Sequence, residues 1–309
     1  MPEKIEISVV IPTYNEEKNL PELADRITKV LDAYGQPYEI VFVEDGSSDN
    51  SFGTLKEIKK RNGHLRIVRF SRNFGQHAAL AAGFEYAKGK AVVTVDADLQ
   101  NPPEEIPKLL EKFYRGYDVV AGWRENRRDS ILRKIPSYLL NRYISYLTGV
   151  KLHDYGCDMR VYSKELLKEY QNYGEMRKFS SALTAILAKN PCEVKVGHEP
   201  RKAGKSHYSF SKLVRLNLDL VTSFSTKPFQ TVALWGIAAT GLGVISGIFY
   251  VIYRFLLGNW ISPQILLLIL LLLFGGVLFA ILGLLGEFAV RTYHLVQNRP
   301  FYLIEKIEE

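Results

Sequence analysis

The sequence predicts an α/β domain with a mostly parallel sheet, continued by helices at a membrane surface and two membrane-spanning helices. Three observations carry that prediction. Between residues 5 and 95, β-branched runs alternate with helical stretches; those runs end in acidic or proline-containing turns; and two long uncharged apolar segments stand toward the C-terminus.

Ile5 to Ile11 opens the pattern, and Pro12 is expected to stop that strand, with Thr13 or Asn15 capping the helix over Leu20 to Tyr34. Tyr38 to Val43 is the second strand, closed by Glu44-Asp45-Gly46-Ser47-Ser48-Asp49, a turn leading into a helix over Ser51 to Arg61. Leu65 to Phe70 and Ala91 to Val95 repeat the strand pattern on either side of a helix from Gln76 to Ala87. Ligands of parallel sheets sit beyond the carboxyl ends of the strands, so Pro12 to Glu16, Glu44 to Asp49, Ser71 to Gly75 and Asp96 to Gln100 should share one rim.

Asp96-Ala97-Asp98 at the end of the fourth strand is the most informative motif on that rim. Two carboxylates one residue apart supply hard oxygen ligands where a divalent ion can bridge them to a diphosphate. Isolated aspartate pairs at this spacing often only cap turns; three acidic turns at one rim do not read that way. Carboxylates repel phosphate, so the rim calls for a mediating cation or for hydrogen bonds to a base and ribose. On that reading Asp98 goes to metal and Asp45 to base or ribose.

Composition excludes disorder, with 47% hydrophobic and 12% aromatic residues. The net charge of +7 is concentrated upstream, since residues 1–226 hold 35 Lys/Arg against 29 Asp/Glu. Part of the excess lies between Arg115 and Arg142, readable either as a solvated helical face or as an anion-binding or membrane-facing patch. Cys157 and Cys192 lack metal-site spacing and read as reduced thiols, and the six histidines form no recognisable ligand pattern.

Phe229 to Tyr253 and Ile265 to Gly286 carry no charge, and each is long enough to cross about 30 Å of hydrocarbon as a helix. The link Gly258 to Pro263 is too short to be anything but a hairpin. Lys227 before the pair and Arg291 and Arg299 after it place both termini in the cytoplasm, with Arg254 snorkelling to the far interface. No charged-then-apolar leader precedes Ile5, which agrees with a cytoplasmic N-terminus. Ser137 to Leu147 and Phe210 to Phe224 read as amphipathic helices on the bilayer surface. The expected organisation is therefore a catalytic domain over 1–209 with an amphipathic segment near 131–149, an interfacial helix over 210–227, a transmembrane hairpin over 228–290 and a cytoplasmic tail over 291–309.

Taken together, Val9 to Glu17, Val43 to Asp49, Ser71 to Gln76, Asp96 to Glu104, Tyr155 to Arg160, Lys205 to Ser209 and the paired apolar segments with Gly286-Glu287 resemble family 2 glycosyltransferases of the GT-A fold. More narrowly they resemble polyprenyl-phosphate glycosyltransferases, the group that includes dolichyl-phosphate mannose synthase and bacterial enzymes acting on undecaprenyl phosphate. The resemblance implies inverting transfer of one sugar from a nucleotide-sugar, a UDP-sugar in the first instance, to a polyprenyl phosphate at the inner membrane. It implies that Pro12, Tyr14, Glu16 and Asp45 cradle the nucleotide and that Asp96, Asp98 and Gln100 surround Mg²⁺ or Mn²⁺. Asp158 matches the position of a catalytic carboxylate, against the simpler reading of an ion pair with Arg160. For the acceptor phosphate the candidates are Arg124, Arg127, Arg128, Arg201 and Lys205. The resemblance to proteins with two C-terminal helices implies a homo-oligomer such as a tetramer, and no nucleic acid partner is expected. A processive polysaccharide synthase is disfavoured by the lack of a Gln-x-x-Arg-Trp segment after Asp158 and by having only two spans. A sugar nucleotidyltransferase would carry a glycine-rich loop in place of Pro12 to Asn15. A non-catalytic nucleotide-sugar scaffold would bind donor and metal without turnover.

Overall fold

The computed structural model describes residues 4–124, 149–199 and 300–309 continuously, with single positions in between. The expected interfacial helices, most of both apolar segments, Arg127, Arg128, Arg201 and Lys205 lie outside the described residues. Two compact units are present. One comprises residues 1–207 with 300–309, the other residues 208–299.

In the first unit the chain runs β1 (Ile7–Thr13), α1 (Leu20–Tyr34), β2 (Tyr38–Glu44), α2 (Ser51–Arg61), β3 (Leu65–Phe70), α3 (Gln76–Tyr86), β4 (Ala91–Thr94), α4 (Ile106–Tyr114) and β5 (Val119–Arg124). It continues through β6 (Arg160–Ser163), α5 (Lys164–Gln171), α6 (Ser180–Leu187), β7 (Pro191–Val196) and β8 (Ile304–Glu308). The strands form one mixed sheet in the order β7-β5-β6-β4-β1-β2-β3-β8. Its centre, β3-β2-β1-β4, is parallel, as the alternating strand and helix pattern requires; β6 and β8 run antiparallel to their neighbours β4 and β3.

Both faces of the central strands are covered, which is why they read as continuous β-branched runs rather than alternating ones. Ile7, Val9 and Ile11 pack with Leu23, Ile27 and Leu31 of α1, Leu55 of α2 and Leu109 and Leu110 of α4. On the opposite face α3 is buried along Ala78 to Phe84, and its small residues let it approach the sheet: a Cβ on Gly83 would stand 2.1 Å from Val10 Cγ1. Phe84 meets Tyr162 and Tyr170 edge-on, joining α3 to β6 and α5.

The first strand departs from expectation. Pro12 does not stop it, because β1 continues to Thr13 with Pro12 in register opposite Val43. Odd-numbered residues of β1 direct their amides toward β2, so Pro12 faces the β4 side, where the ladder has already ended at the pair Val10–Thr94. The missing donor costs nothing there.

The segment 291–309, expected as a tail, contributes β8 to the sheet edge. In the second unit, Ile245, Phe255, Leu256, Leu267, Leu282 and Phe288 are exposed. Among the described residues no helix is long and apolar enough to cross a membrane.

Candidate active site

The four rim turns meet as their placement after β1 to β4 demands. Asn15, at φ 56°, accepts from the Ser48 and Asp49 amides at 2.8 and 3.3 Å and donates its own amide to Ser47 Oγ at 3.0 Å. It therefore staples the β1 turn to the β2 turn instead of capping α1, whose first turn is preceded by Asn19 without a side-chain cap. Thr13 likewise bonds back to the Ile11 carbonyl. Tyr14 is exposed, and Glu16 accepts from Asn19 Nδ2 at 2.6 Å.

Asp45 sits at the floor of this rim. Its carboxylate accepts from Phe74 N at 2.7 Å, Gly75 N at 2.8 Å and Asn73 Nδ2 at 3.0 Å. A carboxylate has about four acceptor sites, so one remains for a ligand. Burial pushes the Asp45 carboxyl up to about 6 even though the Phe74 and Gly75 amides favour its ionised form. Gly46, at φ +63°, makes the cradle possible. A Cβ there would stand 2.4 Å from the Arg72 carbonyl carbon, so only glycine lets the second and third turns touch. Glu44 is structural, accepting from Ser47 N at 2.5 Å and from Arg69 Nε at 3.2 Å.

Beyond β4 the acidic groups gather. Gln76, at the start of α3, donates through Nε2 to both Asp96 Oδ1 at 2.9 Å and Asp158 Oδ2 at 3.3 Å. Burial, then the charges of Asp158 and Asp98, hold the Asp96 carboxyl well above the usual carboxylate range. Asp98 is buried to 8% exposure and accepts from the Gln100 amide at 3.1 Å. Leu99, next in the chain, adopts φ 60°, a conformation costing an ordinary residue about 1–3 kcal/mol, and is held in it by a fully buried side chain. That bend turns the chain out of the sheet directly after the carboxylate pair.

Burial and the charges of Asp158 and Asp98 all act on Asp96, and a divalent cation bound there would relieve that crowding. Among the described residues no set of three or more His, Cys, Asp and Glu side chains is arranged to hold a metal by itself. Mg²⁺ sites of this kind use one or two carboxylates and take the remaining oxygens from substrate phosphates and water, so the donor set fits.

The remaining assignments divide. Asp158 does not pair with Arg160: that guanidinium is fully buried and donates to the carbonyls of Cys157 at 2.8 Å and Tyr155 at 2.9 Å, which folds the loop before β6 and leaves the Asp158 carboxylate facing Gln76. Arg124 ends β5 in a bidentate pair with Asp154, at 2.7 and 3.0 Å. Both side chains are almost buried, so Arg124 braces the wall of the site. His77 was not anticipated. It bonds Ser180 Oγ at 3.2 Å beside Asp158, and burial lowers its basicity. Its only sequence signal is its place beside Gln76 at the start of α3.

The glycosyl transferase family 2 model matches residues 8–171. The undecaprenyl-phosphate 4-deoxy-4-formamido-L-arabinose transferase of Klebsiella pneumoniae (strain 342) is 41% identical over 97% of this chain and 93% of its own length. The protein of that name from Pseudomonas paraeruginosa is 42% identical over 97% of this chain and 90% of its own. Among solved structures, mannosyl-3-phosphoglycerate synthase from Rubrobacter xylanophilus is 14% identical with a TM-score of 0.53, covering 74% of this chain and 75% of that one. Glucosyl-3-phosphoglycerate synthase from Mycobacterium tuberculosis is 18% identical with a TM-score of 0.50, covering 71% and 79%. These two likenesses establish a GT-A-like α/β fold.

Proposed function

Because the chain belongs to glycosyl transferase family 2, we propose that it transfers a single sugar from a nucleotide-sugar to undecaprenyl phosphate, with inversion at the anomeric carbon. The observation that carries this reading is the convergence, on one sheet rim, of the Asp45 cradle with the Asp96, Asp98 and Asp158 carboxylates. The names of the relatives make 4-deoxy-4-formamido-L-arabinose the first sugar to try, and UDP is the first carrier on the reading of the rim motifs.

In this reading Asp45 accepts a hydrogen bond from the base or ribose, while Pro12, Tyr14 and Glu16 line the nucleotide. Asp96 and Asp98, with Gln100 beside them, would hold Mg²⁺ or Mn²⁺, which when bound would supply Lewis acidity toward the leaving diphosphate. The acceptor phosphate monoester has a second pKa near ~6, so it is already nucleophilic at neutral pH and needs little help from a general base. Asp158, held by Gln76, orients that phosphate or takes its residual proton. Arg127, Arg128, Arg201 and Lys205 offset the acceptor charge, and residues 228–290 anchor the protein in the inner membrane as a two-helix hairpin. The exposed apolar side chains of the second unit support that anchoring.

The deciding experiment incubates purified protein with Mg²⁺, undecaprenyl phosphate and a panel of radiolabelled nucleotide-sugars. One donor is expected to yield an organic-extractable sugar lipid in single-sugar units. Donor and metal binding without any extractable product sinks the transferase reading, and a ladder of products points to a processive synthase.

Nucleotide affinity should also depend on pH in a particular direction. Three N–H donors leave the Asp45 carboxylate one acceptor position, which a proton would turn into a donor, and burial pushes this carboxyl up to about 6. UDP binding is therefore expected to be full above neutrality and to fall as pH drops through 6. In the Asp45→Asn variant most of the affinity should be lost, and the remaining pH dependence should shrink to that of the UDP terminal phosphate, which ionises at ~6. Calorimetric titrations between pH 5 and 8 check this; an unchanged affinity at pH 5 counts against the role of Asp45.

A further inference from the structure

We propose that residues 300–309, far in sequence from every rim motif, position the nucleotide cradle, with Tyr302 as the principal positioning residue. The inference rests on the reading of Asp45 as a donor-binding group.

Two independent chains of contact support it. The first runs through rings: Tyr302 stacks on Phe70 with centroids 5.1 Å apart and planes 11° from parallel, and Phe70 meets Phe74 edge-on at 5.7 Å. Phe74 then donates its amide to Asp45 Oδ1 at 2.7 Å. Next to this stack Ser71 N donates to the Leu303 carbonyl at 3.0 Å, so the third rim turn begins while still paired to the returning chain. The second runs through charges. Glu305 lies 3.3 Å from Arg69 Nε, which donates to Glu44 Oε2 at 3.2 Å, and Glu44 Oε1 accepts from Ser47 N at 2.5 Å. Both turns that wall Asp45 are thus tied to residues 302–305.

The returning segment is itself anchored on its other side. The Tyr302 hydroxyl donates to Glu85 on α3, and the Arg177 guanidinium lies over the Phe301 ring at 4.9 Å. A strand that only covered the β3 edge would need the ladder from Ile67 to Phe70 and nothing at the turns. Here the segment is held at both ends: Glu309 pairs with Arg66 at the far end of the ladder, and Tyr302, Leu303 and Glu305 make the contacts described above at the rim.

The test uses the full-length protein, with UDP in the presence of Mg²⁺ as the binding probe and steady-state transfer as the second readout. Loss of an aromatic pair corresponds to about three- to tenfold in an equilibrium constant, so Tyr302→Ala is expected to weaken UDP binding and raise the nucleotide-sugar KM by that factor. The undecaprenyl phosphate KM should stay unchanged and kcat nearly so. Tyr302→Phe keeps the ring and loses only the Glu85 bond, so it should restore nucleotide affinity. Glu305→Gln cuts the second chain of contact without touching the rings and should raise the same KM more modestly.

Amide exchange at Phe74 and Gly75 in the ligand-free protein should accelerate in Tyr302→Ala and not in Tyr302→Phe. Unchanged nucleotide affinity in both Tyr302→Ala and Glu305→Gln overturns the proposal, as does a uniform loss of kcat with no shift in KM. Asp45→Ala separates the two levels. If it leaves UDP binding intact, the reading of Asp45 has failed; if it abolishes binding while Tyr302→Ala does not weaken it, the positioning role has failed.

Discussion

Replacing Asp98 with asparagine is expected to lower sugar transfer by about 10³-fold or more at saturating Mg²⁺, while leaving the metal-free protein as stable as the parent or slightly more so. The size follows from the several kcal/mol that a bound cation contributes to a transition state in which diphosphate charge is growing, at 1.36 kcal/mol per tenfold. The opposite sign on stability follows from crowding: Asp98 is one of two charges that drive the neighbouring Asp96 carboxyl upward. Removing it relieves repulsion in a site that is nearly closed to solvent, and asparagine keeps the volume and still accepts from the Gln100 amide. Loss of activity with retained or raised Tm identifies a functional carboxylate rather than a structural one. Parental transfer rates in this variant remove Asp98 from the metal site.

Asp158→Asn should cost about 10²–10⁴ in kcat, the range of a positioned acid–base or orienting group, with little change in the nucleotide-sugar KM. That split is expected because the Asp158 carboxylate lies against Gln76 and Asp96, whereas the hydrogen bonds that hold Asp45 come from Asn73, Phe74 and Gly75. The fold should survive, since Arg160 shapes the loop before β6 through backbone carbonyls and does not use the Asp158 carboxylate. A comparable rise in KM, or a variant that turns over normally with undecaprenyl phosphate, rules out the assigned role. Comparing initial rates at several donor and acceptor concentrations separates these outcomes.

The legible part of this chain was the part governed by local pattern. β1 to β4 and α1 to α3 fall within a residue or two of where β-branched runs and turn residues put them, and rim convergence follows from parallel-sheet geometry alone. Contacts fixed only by the fold were illegible. Arg124 reads as a free cation because its partner, Asp154, is brought to it by the register of β5 beside β6. Asn15 has the composition of a helix cap, and only the meeting of two turns makes it a staple. Pro12 reads as a strand end because sequence does not reveal which neighbour its nitrogen faces. Gln76 and His77 open an ordinary-looking alanine-rich helix, and their roles appear only when the Asp158 loop folds over them. Ile304 to Glu308 has too few apolar residues to announce a strand; it is one because β3 offers an open edge.

That pairing at the β3 edge constrains biogenesis. The polypeptide leaves the first folded unit at His207 and re-enters it at Pro300, so whatever lies between must begin and finish in the same compartment. Any traverse of a bilayer by residues 208–299 therefore comes in an even number. A molecule in which only one apolar segment had been integrated would deliver Ile304 to Glu308 to the wrong side, leaving Leu65 to Phe70 as an edge strand with unpaired backbone groups, open to self-association. If the two apolar segments insert as proposed, completion of the sheet doubles as a check that both have done so.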